Sequence, residues 1–280
     1  MTHIHRSIAA ISPSGIHPPE KLNESIRLVE RWGHTVHRGP NHNKMHLYTA
    51  GTLEERTADL LWAIESPEID TIWFIRGGYG TAQLLKHLPV QCDKPIIGFS
   101  DATALLSFGS INRWTKLYHG PVLNSLASLC NDKSKEIVQQ WLSTDSLPNL
   151  SGQHSFGPKI SIQAPVVGGN LCVLASLCGT PFQLKAPGSI LALEDIAEPL
   201  YKIDRMLLQL EQSGVFDGVV GILLGSFHNC NPPPNATYTL QDVFKERFTH
   251  LNIPIYRQSE FGHNEINWMW KVGQRLQLRP

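Results

Sequence analysis

The sequence predicts an α/β protein with a parallel-sheet N-terminal domain and a smaller, mixed α/β C-terminal domain. Three observations support this fold class. Short apolar runs alternate with amphipathic helical patterns over residues 7–114. Residues 143–163 then break the pattern with a stretch rich in serine, proline and glycine. With 280 residues, the chain is also long for one core and sufficient for two domains.

The first half of the chain alternates between predicted strands and predicted helices. The first helix has proline at its start and Gly33 just past its end, and the second opens with a capping box of Thr52 and Glu55. The predicted strands are residues 7–12, 34–39, 70–78 and 95–99, and the predicted helices are residues 18–33, 52–66, 79–88 and 101–114. Apolar strands separated by helices indicate a parallel sheet that is covered on both faces.

Three residues lie at the carboxyl ends of predicted strands of this sheet. They are Gly77, Gly78 and Ser100. Ligands of open α/β sheets bind at this edge, so we expect the functional site there. The second half alternates less regularly, and the predicted division is an N-terminal domain at 1–142, a linker at 143–163 and a C-terminal domain at 164–280.

Composition excludes several classes of protein. Lys+Arg and Asp+Glu balance at 24 each, so the net charge is +0 and neither nucleic acid nor an anionic membrane is expected as a partner. No apolar run is long enough to span a bilayer, and the opening residues do not have the pattern of a signal peptide. Five cysteines without paired spacing indicate reduced thiols and a cytoplasmic protein.

Cofactor and metal motifs are weak. The run Gly78-x-Gly80-x-x-Gln83 lacks the third glycine of the dinucleotide fingerprint and does not follow the first strand. The thirteen histidines are accompanied by no HExxH or CxxC motif. We therefore predict neither a metal site nor an organic cofactor.

Ser100 has two interpretations. It can be a helix N-cap, because serine at the start of a helix satisfies a free amide. It can also be a nucleophile, because Gly98-x-Ser100-x-Ala102 approximates the Gly-x-Ser-x-Gly elbow, whose sharp turn needs small residues on either side. In the second case the amide of Asp101 would point at a developing oxyanion. The spacing alone leaves both roles open.

A serine nucleophile also needs a base and a group that orients the base. Glu194 and Asp195 end an aliphatic strand, and Glu198 precedes a proline at a helix start. We interpret Glu198 as a negative charge that complements the N-terminus of that helix. The same interpretation is an alternative for Asp195. Glu194 is the better candidate for the group that orients the base. His263 follows a glycine in a loop and is the candidate base.

Six segments resemble, in order and spacing, the LD-carboxypeptidase family (muramoyltetrapeptide carboxypeptidases, serine peptidase family S66). These segments are "IRGGYGTAQLL", "KPIIGFSDATALL", "YHGPV", "PVVGGNLCVLASLCGTPF", "LALEDIAEPLYKIDRMLLQL" and "FGHN". The resemblance implies a Rossmann-like N-terminal domain and a smaller C-terminal domain, with the site assembled between them. It also implies a catalytic triad and an oxyanion hole formed by backbone amides. At the positions that match the family's motifs, the triad is Ser100, Glu194 and His263. The oxyanion hole at the matching positions uses Gly77 or Gly78 together with Asp101. On this basis Ser100 is expected to be both nucleophile and helix cap.

The expected function is that of a serine carboxypeptidase that cleaves the L,D-amide bond to the terminal D-alanine of murein tetrapeptides during peptidoglycan recycling. The resemblance also implies a tendency to form homodimers, although no stretch marks a dimer surface. Two segments, 43–48 and 266–273, depart from the family pattern and concern the fit of the substrate.

Two alternatives stay open at this point. The same triad could act on aminoacyl- or peptidyl-nucleotide antibiotics, which would need an aromatic platform for the base. The linker region offers only Phe156 for that purpose. The protein could also be a non-catalytic α/β binding protein for a small peptide or sugar, with Ser100 as a cap only.

Overall fold

The computed structural model of the chain describes residues 4–258 and 260–280, so the first three residues of the predicted N-terminal domain lie outside the described part. The strands are β1 (Ser7–Ile11), β2 (Thr35–Arg38), β3 (Thr71–Phe74), β4 (Ile96–Gly98), β5 (Leu117–His119), β6 (Gln153–Phe156), β7 (Ile162–Asn170), β8 (Ile190–Ile196), β9 (Gly221–His228), β10 (Ile255–Arg257), β11 (Trp270–Lys271) and β12 (Arg275–Leu278). The α-helices are α1 (Pro19–Arg31), α2 (Leu53–Glu65), α3 (Thr81–Leu84), α4 (Thr103–Ile111), α5 (Leu123–Leu126), α6 (Asp132–Thr144), α7 (Leu171–Leu177), α8 (Leu200–Gln212) and α9 (Leu240–Phe248).

The first sheet has the strand order β11-β5-β4-β3-β1-β2. Strands β1 to β5 pair in parallel, and β11 is antiparallel to β5. Helices α1, α5 and α6 cover one face with a buried set that includes Leu22, Ile26 and Trp141. Helices α2, α3 and α4 cover the other face. The predicted parallel sheet with helices on both faces is confirmed.

The second sheet has the order β12-β7-β8-β9-β10-β6. Its four central strands pair in parallel, and the outer strands β12 and β6 are antiparallel to their neighbours. Helix α4 of the first half contacts both β7 and α7 of the second half. One hydrophobic cluster therefore extends from the first sheet to the second, and the carboxyl ends of β4 and β8 meet near this junction.

Two short strands lie where the pattern of the sequence gave little signal. Strand β6 falls inside residues 143–163, the predicted linker, and pairs with β10. Strand β11 leaves the C-terminal half and adds to β5 of the first sheet. Each is short and exists through pairing with a distant strand, which local periodicity does not record. The predicted domain bounds stay a prediction.

No helix among the described residues is both long and apolar enough to span a bilayer.

Candidate active site

Ser100 lies on a sharp turn between β4 and α4. Its backbone φ is +60°, in the left-handed region that a residue with a side chain rarely adopts. Such a conformation costs roughly 1–3 kcal/mol and is maintained only where the surrounding structure imposes it. A Cβ on Gly98 would lie 2.7 Å from the Cβ of Ala102. The expectation that this turn needs small residues on both sides of the serine is therefore confirmed.

The capping role expected for Ser100 is wrong. The α-helix begins at Thr103, its N-cap residue is Ala102, and a 3₁₀ turn over Ser100–Ala102 precedes it. An N-cap residue has extended backbone angles and a side chain that accepts from the helix. Ser100 has a positive φ, and its side chain makes no capping hydrogen bond to the described residues of either helical segment. Its hydroxyl is thus not occupied by the helix behind it.

Gly77 and Gly78 lie against this turn, as expected from their position after β3. A Cβ on Gly77 would lie 2.7 Å from the Oγ of Ser100 and 3.5 Å from the amide nitrogen of Asp101. Gly78 has a φ of +119° and passes close to Gly15, whose Cα would lie 3.1 Å from a Cβ. In the described part of the chain, the amides of Gly78 and Asp101 donate no hydrogen bond to the protein. They are free to bind an anion.

The carboxylate of Asp101 has a role that the sequence did not indicate. Its Oδ2 accepts from the amide of Thr81 at 2.8 Å, which ties the Ser100 turn to the end of residues 77–80, the glycine loop. Buried Arg56 also holds this loop in place, because it donates to the carbonyls of Pro13 at 2.7 Å and Gly80 at 3.0 Å. These contacts fix the two backbone segments that flank the hydroxyl.

Glu194 and His263 form a hydrogen-bonded pair, as expected. Glu194 lies in β8 with a fully buried side chain, and its Oε2 is 2.7 Å from Nδ1 of His263. A carboxylate only accepts, so Nδ1 carries the proton and Nε2 is the basic nitrogen of the neutral ring. The glycine before the histidine is required: Gly262 has a φ of +119°, and a Cβ there would lie 3.0 Å from Oε2 of Glu194.

The electrostatic environment favours protonation of His263. Burial lowers the pKa of the imidazole, but the charge and hydrogen bond of Glu194, with a further contribution from Asp195, outweigh it and raise the pKa. A base with a raised pKa binds a proton more tightly once it has taken one.

Phe99 connects the pair to the serine. Its ring centroid lies 4.6 Å from that of His263, and it directly precedes Ser100 in the chain. No hydrogen bond joins Ser100 to His263 within the described residues. The structure thus brings Glu194 and His263 together and places both next to the serine turn, without a closed contact to the hydroxyl.

Asp195 and Glu198 differ from each other in what they stabilise. The interpretation of Asp195 as a partner of the helix after Glu198 is wrong, because its carboxylate binds Asn170 at 3.1 Å and the amide of Cys172 at 2.9 Å, at the start of α7. Burial raises the pKa of Asp195 to about 6. Glu198 precedes α8 and pairs with Lys202 at 3.5 Å.

Two further residues contribute to the junction, and sequence reasoning assigned neither of them a role. The amide of Asn170 donates to Oγ1 of Thr103 at 3.0 Å and so joins the end of β7 to the helix behind Ser100. His119, at the end of β5, is fully buried beside Phe99. Both occur in segments already quoted for the family resemblance, which was the available signal.

Within residues 4–258 and 260–280, no three His, Cys, Asp or Glu side chains cluster as metal ligands would. A cavity of about 480 Å³ is lined by residues that include Tyr48, Arg56, Lys86 and Phe182, and none of Ser100, Glu194 and His263 lines it. The carbonyl oxygen of Tyr48 lies 3.9 Å from a Cβ built on Gly15, the residue that contacts Gly78. The cavity therefore adjoins the glycine loop, not the Glu194–His263 side.

Sequence models of the LD-carboxypeptidase N-terminal and C-terminal domains match residues 8–120 and 163–278. The murein tetrapeptide carboxypeptidase of Pseudomonas aeruginosa is 34% identical over 97% of this chain and 92% of its own length. This chain belongs to the LD-carboxypeptidase family. The family prediction made from the sequence motifs is confirmed.

Other relatives are similar in fold or in sequence. The crystal structure of the muramoyltetrapeptide carboxypeptidase from Oxalobacter formigenes superposes with a TM-score of 0.86 at 27% identity, covering 98% of this chain and 95% of that one. The microcin C7 self-immunity protein MccF of Escherichia coli is 25% identical over 95% of this chain and 88% of its own length. Membership of this family supports a hydrolase of the carboxypeptidase class.

Proposed function

We propose that this protein is a serine carboxypeptidase that removes the terminal D-alanine from murein tetrapeptides, with Ser100, Glu194 and His263 as its catalytic triad. The observation that supports this most is the buried Glu194–His263 hydrogen bond of 2.7 Å next to a serine held at φ +60°. A serine that has a strained backbone, caps no helix and lies beside an oriented imidazole is typical of a nucleophile and not of a structural residue.

The chemistry follows from the positions of these groups. Nε2 of His263 takes the hydroxyl proton as Ser100 attacks the carbonyl of the amide that joins an L-centre to the terminal D-residue. The amides of Gly78 and Asp101 stabilise the tetrahedral oxyanion. The imidazolium then gives its proton to the nitrogen of D-alanine as the C–N bond breaks. Neutral His263 next takes a proton from water as the water attacks the acyl-enzyme, and the ester bond to Ser100 breaks to release the tripeptide and the free serine. Catalytic hydrogen bonds often tighten only when substrate binds, which accounts for the open contact between Ser100 and His263.

The side chain of Glu194 has one task in this scheme. It accepts from Nδ1 and keeps the imidazole in the tautomer whose Nε2 is basic, and its charge stabilises the imidazolium that forms. A buried carboxylate is costly and is tolerated only with a charged or hydrogen-bonded partner. A non-catalytic binding protein would have no functional reason to retain the carboxylate of Glu194 here.

A second candidate retains the triad and changes the leaving group to a nucleotide, as the similarity to the microcin self-immunity protein suggests. One observation favours it: the exposed rings of Tyr48 and Tyr79 meet edge to face at 5.5 Å beside the glycine loop, where a base could stack. Phe156, the aromatic that the linker region offered, lies in β6 and packs against the core instead.

The test compares three compounds on purified protein. We expect clear turnover of L-Ala-γ-D-Glu-meso-diaminopimelate-D-Ala, a sharply lower kcat/KM when its terminal carboxylate is blocked as an amide, and little turnover of an aminoacyl-adenylate analogue. The amide cap removes the charge that a carboxypeptidase must bind. A preference for the adenylate, or indifference to the cap, would contradict the assignment.

A further inference from the structure

His119 occupies the centre of a buried aromatic cluster under the active site. Its ring stacks on Trp270 with centroids 4.9 Å apart and planes 17° apart. The rings of Phe99 and Phe261 meet it edge to face, with ring centroids 5.9 Å and 5.8 Å from that of His119. Phe99 precedes Ser100, and Phe261 lies two residues before His263. A single imidazole therefore touches the chain segments that carry the proposed nucleophile and the proposed base.

The polar atoms of this cluster are not satisfied by the protein. Among the described residues, neither ring nitrogen of buried His119 has a hydrogen-bond partner, and Nε1 of Trp270 has none either. Oε1 of Glu194, the oxygen that does not bind His263, is also buried without a partner. An unpaired buried polar atom costs about 1–3 kcal/mol, so an arrangement with several of them in one region needs an explanation.

The charged groups that face His119 are Glu194 from β8 and His263 from the loop after β10. Burial lowers the pKa of His119 to about 4, the negative charge of Glu194 opposes that shift, and the positive charge of His263 adds to it. The ring is consequently neutral near pH 7, with one nitrogen that donates and one that accepts. The charge of Asp195 acts on His263, whose pKa it raises.

We propose that His119 is a positioning residue that hydrogen-bonds to Oε1 of Glu194 through one bridging water and so fixes the carboxylate whose Oε2 orients His263. A buried water typically makes about three hydrogen bonds to otherwise unpaired groups. His119, Glu194 and Trp270 supply such groups in this cluster. The inference rests on the proposed function, because it assigns His119 to the same triad.

The test separates hydrogen bonding from packing. His119→Phe retains a flat ring that can stack on Trp270 but has no nitrogen, whereas His119→Gln retains a donor and an acceptor but cannot stack. If His119 positions Glu194, the phenylalanine variant loses kcat for D-alanine release by about 10- to 100-fold with little change in KM, and the glutamine variant retains more activity. If the ring serves packing alone, the order is reversed.

A pH profile gives a second readout. A looser Glu194 raises the pKa of His263 less, so the midpoint of the kcat/KM profile of His119→Phe should move to lower pH. The matched control is His154→Phe, which removes another histidine whose buried Nε2 is unpartnered and whose ring meets Tyr256 edge to face at 5.7 Å, on β6. The control should retain the wild-type kcat and midpoint. A phenylalanine variant at least as active as the glutamine variant, or one with the wild-type midpoint, overturns the proposal.

A measurement that leaves His119 in place covers the case in which His119→Phe does not fold. With ¹⁵N-labelled histidine, we expect the His119 ring to stay neutral from pH 5 to 8 and its nitrogen shifts to change on Glu194→Gln substitution. Shifts that ignore this substitution would refute the link. Failure of the proposed function would look different, because the wild-type and control proteins would then release no D-alanine while the NMR response still reported on His119 and Glu194.

Discussion

Replacement of Gly77 by alanine would add one methyl group directly against the proposed nucleophile. The new Cβ would lie 2.7 Å from both Cβ and Oγ of Ser100. Non-bonded carbon atoms prefer about 3.5–4.0 Å, so the hydroxyl or the glycine loop must shift by about 1 Å. Gly77 does not have a positive φ, and alanine therefore adopts its backbone conformation without strain. The substitution tests the steric fit alone.

The expected magnitude follows from this displacement. A misplacement of about 1 Å in a reacting group costs roughly 10²-fold in rate, and a misaligned oxyanion donor costs about 10²- to 10³-fold. Because both effects arise here from one shift, we expect kcat to fall about 10²- to 10⁴-fold. Overpacking of this kind lowers the free energy of unfolding by only about 1–3 kcal/mol, so the variant should still fold.

The assay is release of D-alanine from the tetrapeptide, with chemical denaturation as a check on folding. Gly179→Ala is the matched control: its φ is +77° and nothing lies within 4 Å of the added Cβ. It should lose about 1–2 kcal/mol from the left-handed backbone and retain the wild-type kcat. A folded Gly77→Ala protein with kcat within threefold of wild type would mean that Gly77 does not border the reacting group.

The rate should rise with pH through one ionisation above pH 6.5, because the base acts only when neutral and its surroundings raise the pKa of His263. Glu194→Gln should lower kcat about 10³- to 10⁴-fold and move the midpoint of the pH profile down. The control Glu198→Gln breaks only the half-exposed pair with Lys202 and should leave kcat and the midpoint unchanged. The reverse result would mean that Glu198, and not Glu194, orients the base. Arg56→Met should lower the free energy of unfolding by about 3 kcal/mol or more, since buried carbonyls lose their donor. Replacement of an exposed arginine by methionine is the control. Equal losses of stability would contradict the role of Arg56 in holding the two backbone segments together. Activity should also survive incubation with a chelator, and a loss that zinc restores would indicate a metal mechanism instead.

Much of the first sheet could be predicted because its signals are local. The capping box of Thr52 and Glu55, expected from the sequence, is present with both hydrogen bonds. Trp268 and Trp270 alternate as in a strand, and Trp270 is the one that is fully buried. That alternation indicated a strand near β11, but neither its pairing with β5 nor the strand β6 could be predicted, because each is a few residues long and pairs with a strand far away in the sequence.

The candidate site was predictable in its residue types but not in its support. Glu194 and His263 could be assigned from position and family resemblance, and the structure places them 2.7 Å apart. The carboxylate of Asp101, bound to Thr81, and the imidazole of His119 carry no local pattern, because their contacts come from chain segments about 20 or more residues away. The capping role of Ser100 failed for a related reason. Serine before a helix is usually a cap, and only the backbone angle shows that this one is not.

The central claim is that Ser100 is the nucleophile, and turnover of the murein tetrapeptide by Ser100→Ala protein tests it most directly. Removal of a triad nucleophile costs about 10⁴- to 10⁶-fold in kcat, and the hydroxyl makes no capping bond that folding would miss. We therefore predict a folded protein whose D-alanine release is lower by at least about 10⁴-fold. Release within tenfold of the wild-type rate would contradict the assignment of Ser100 and of the mechanism built on it.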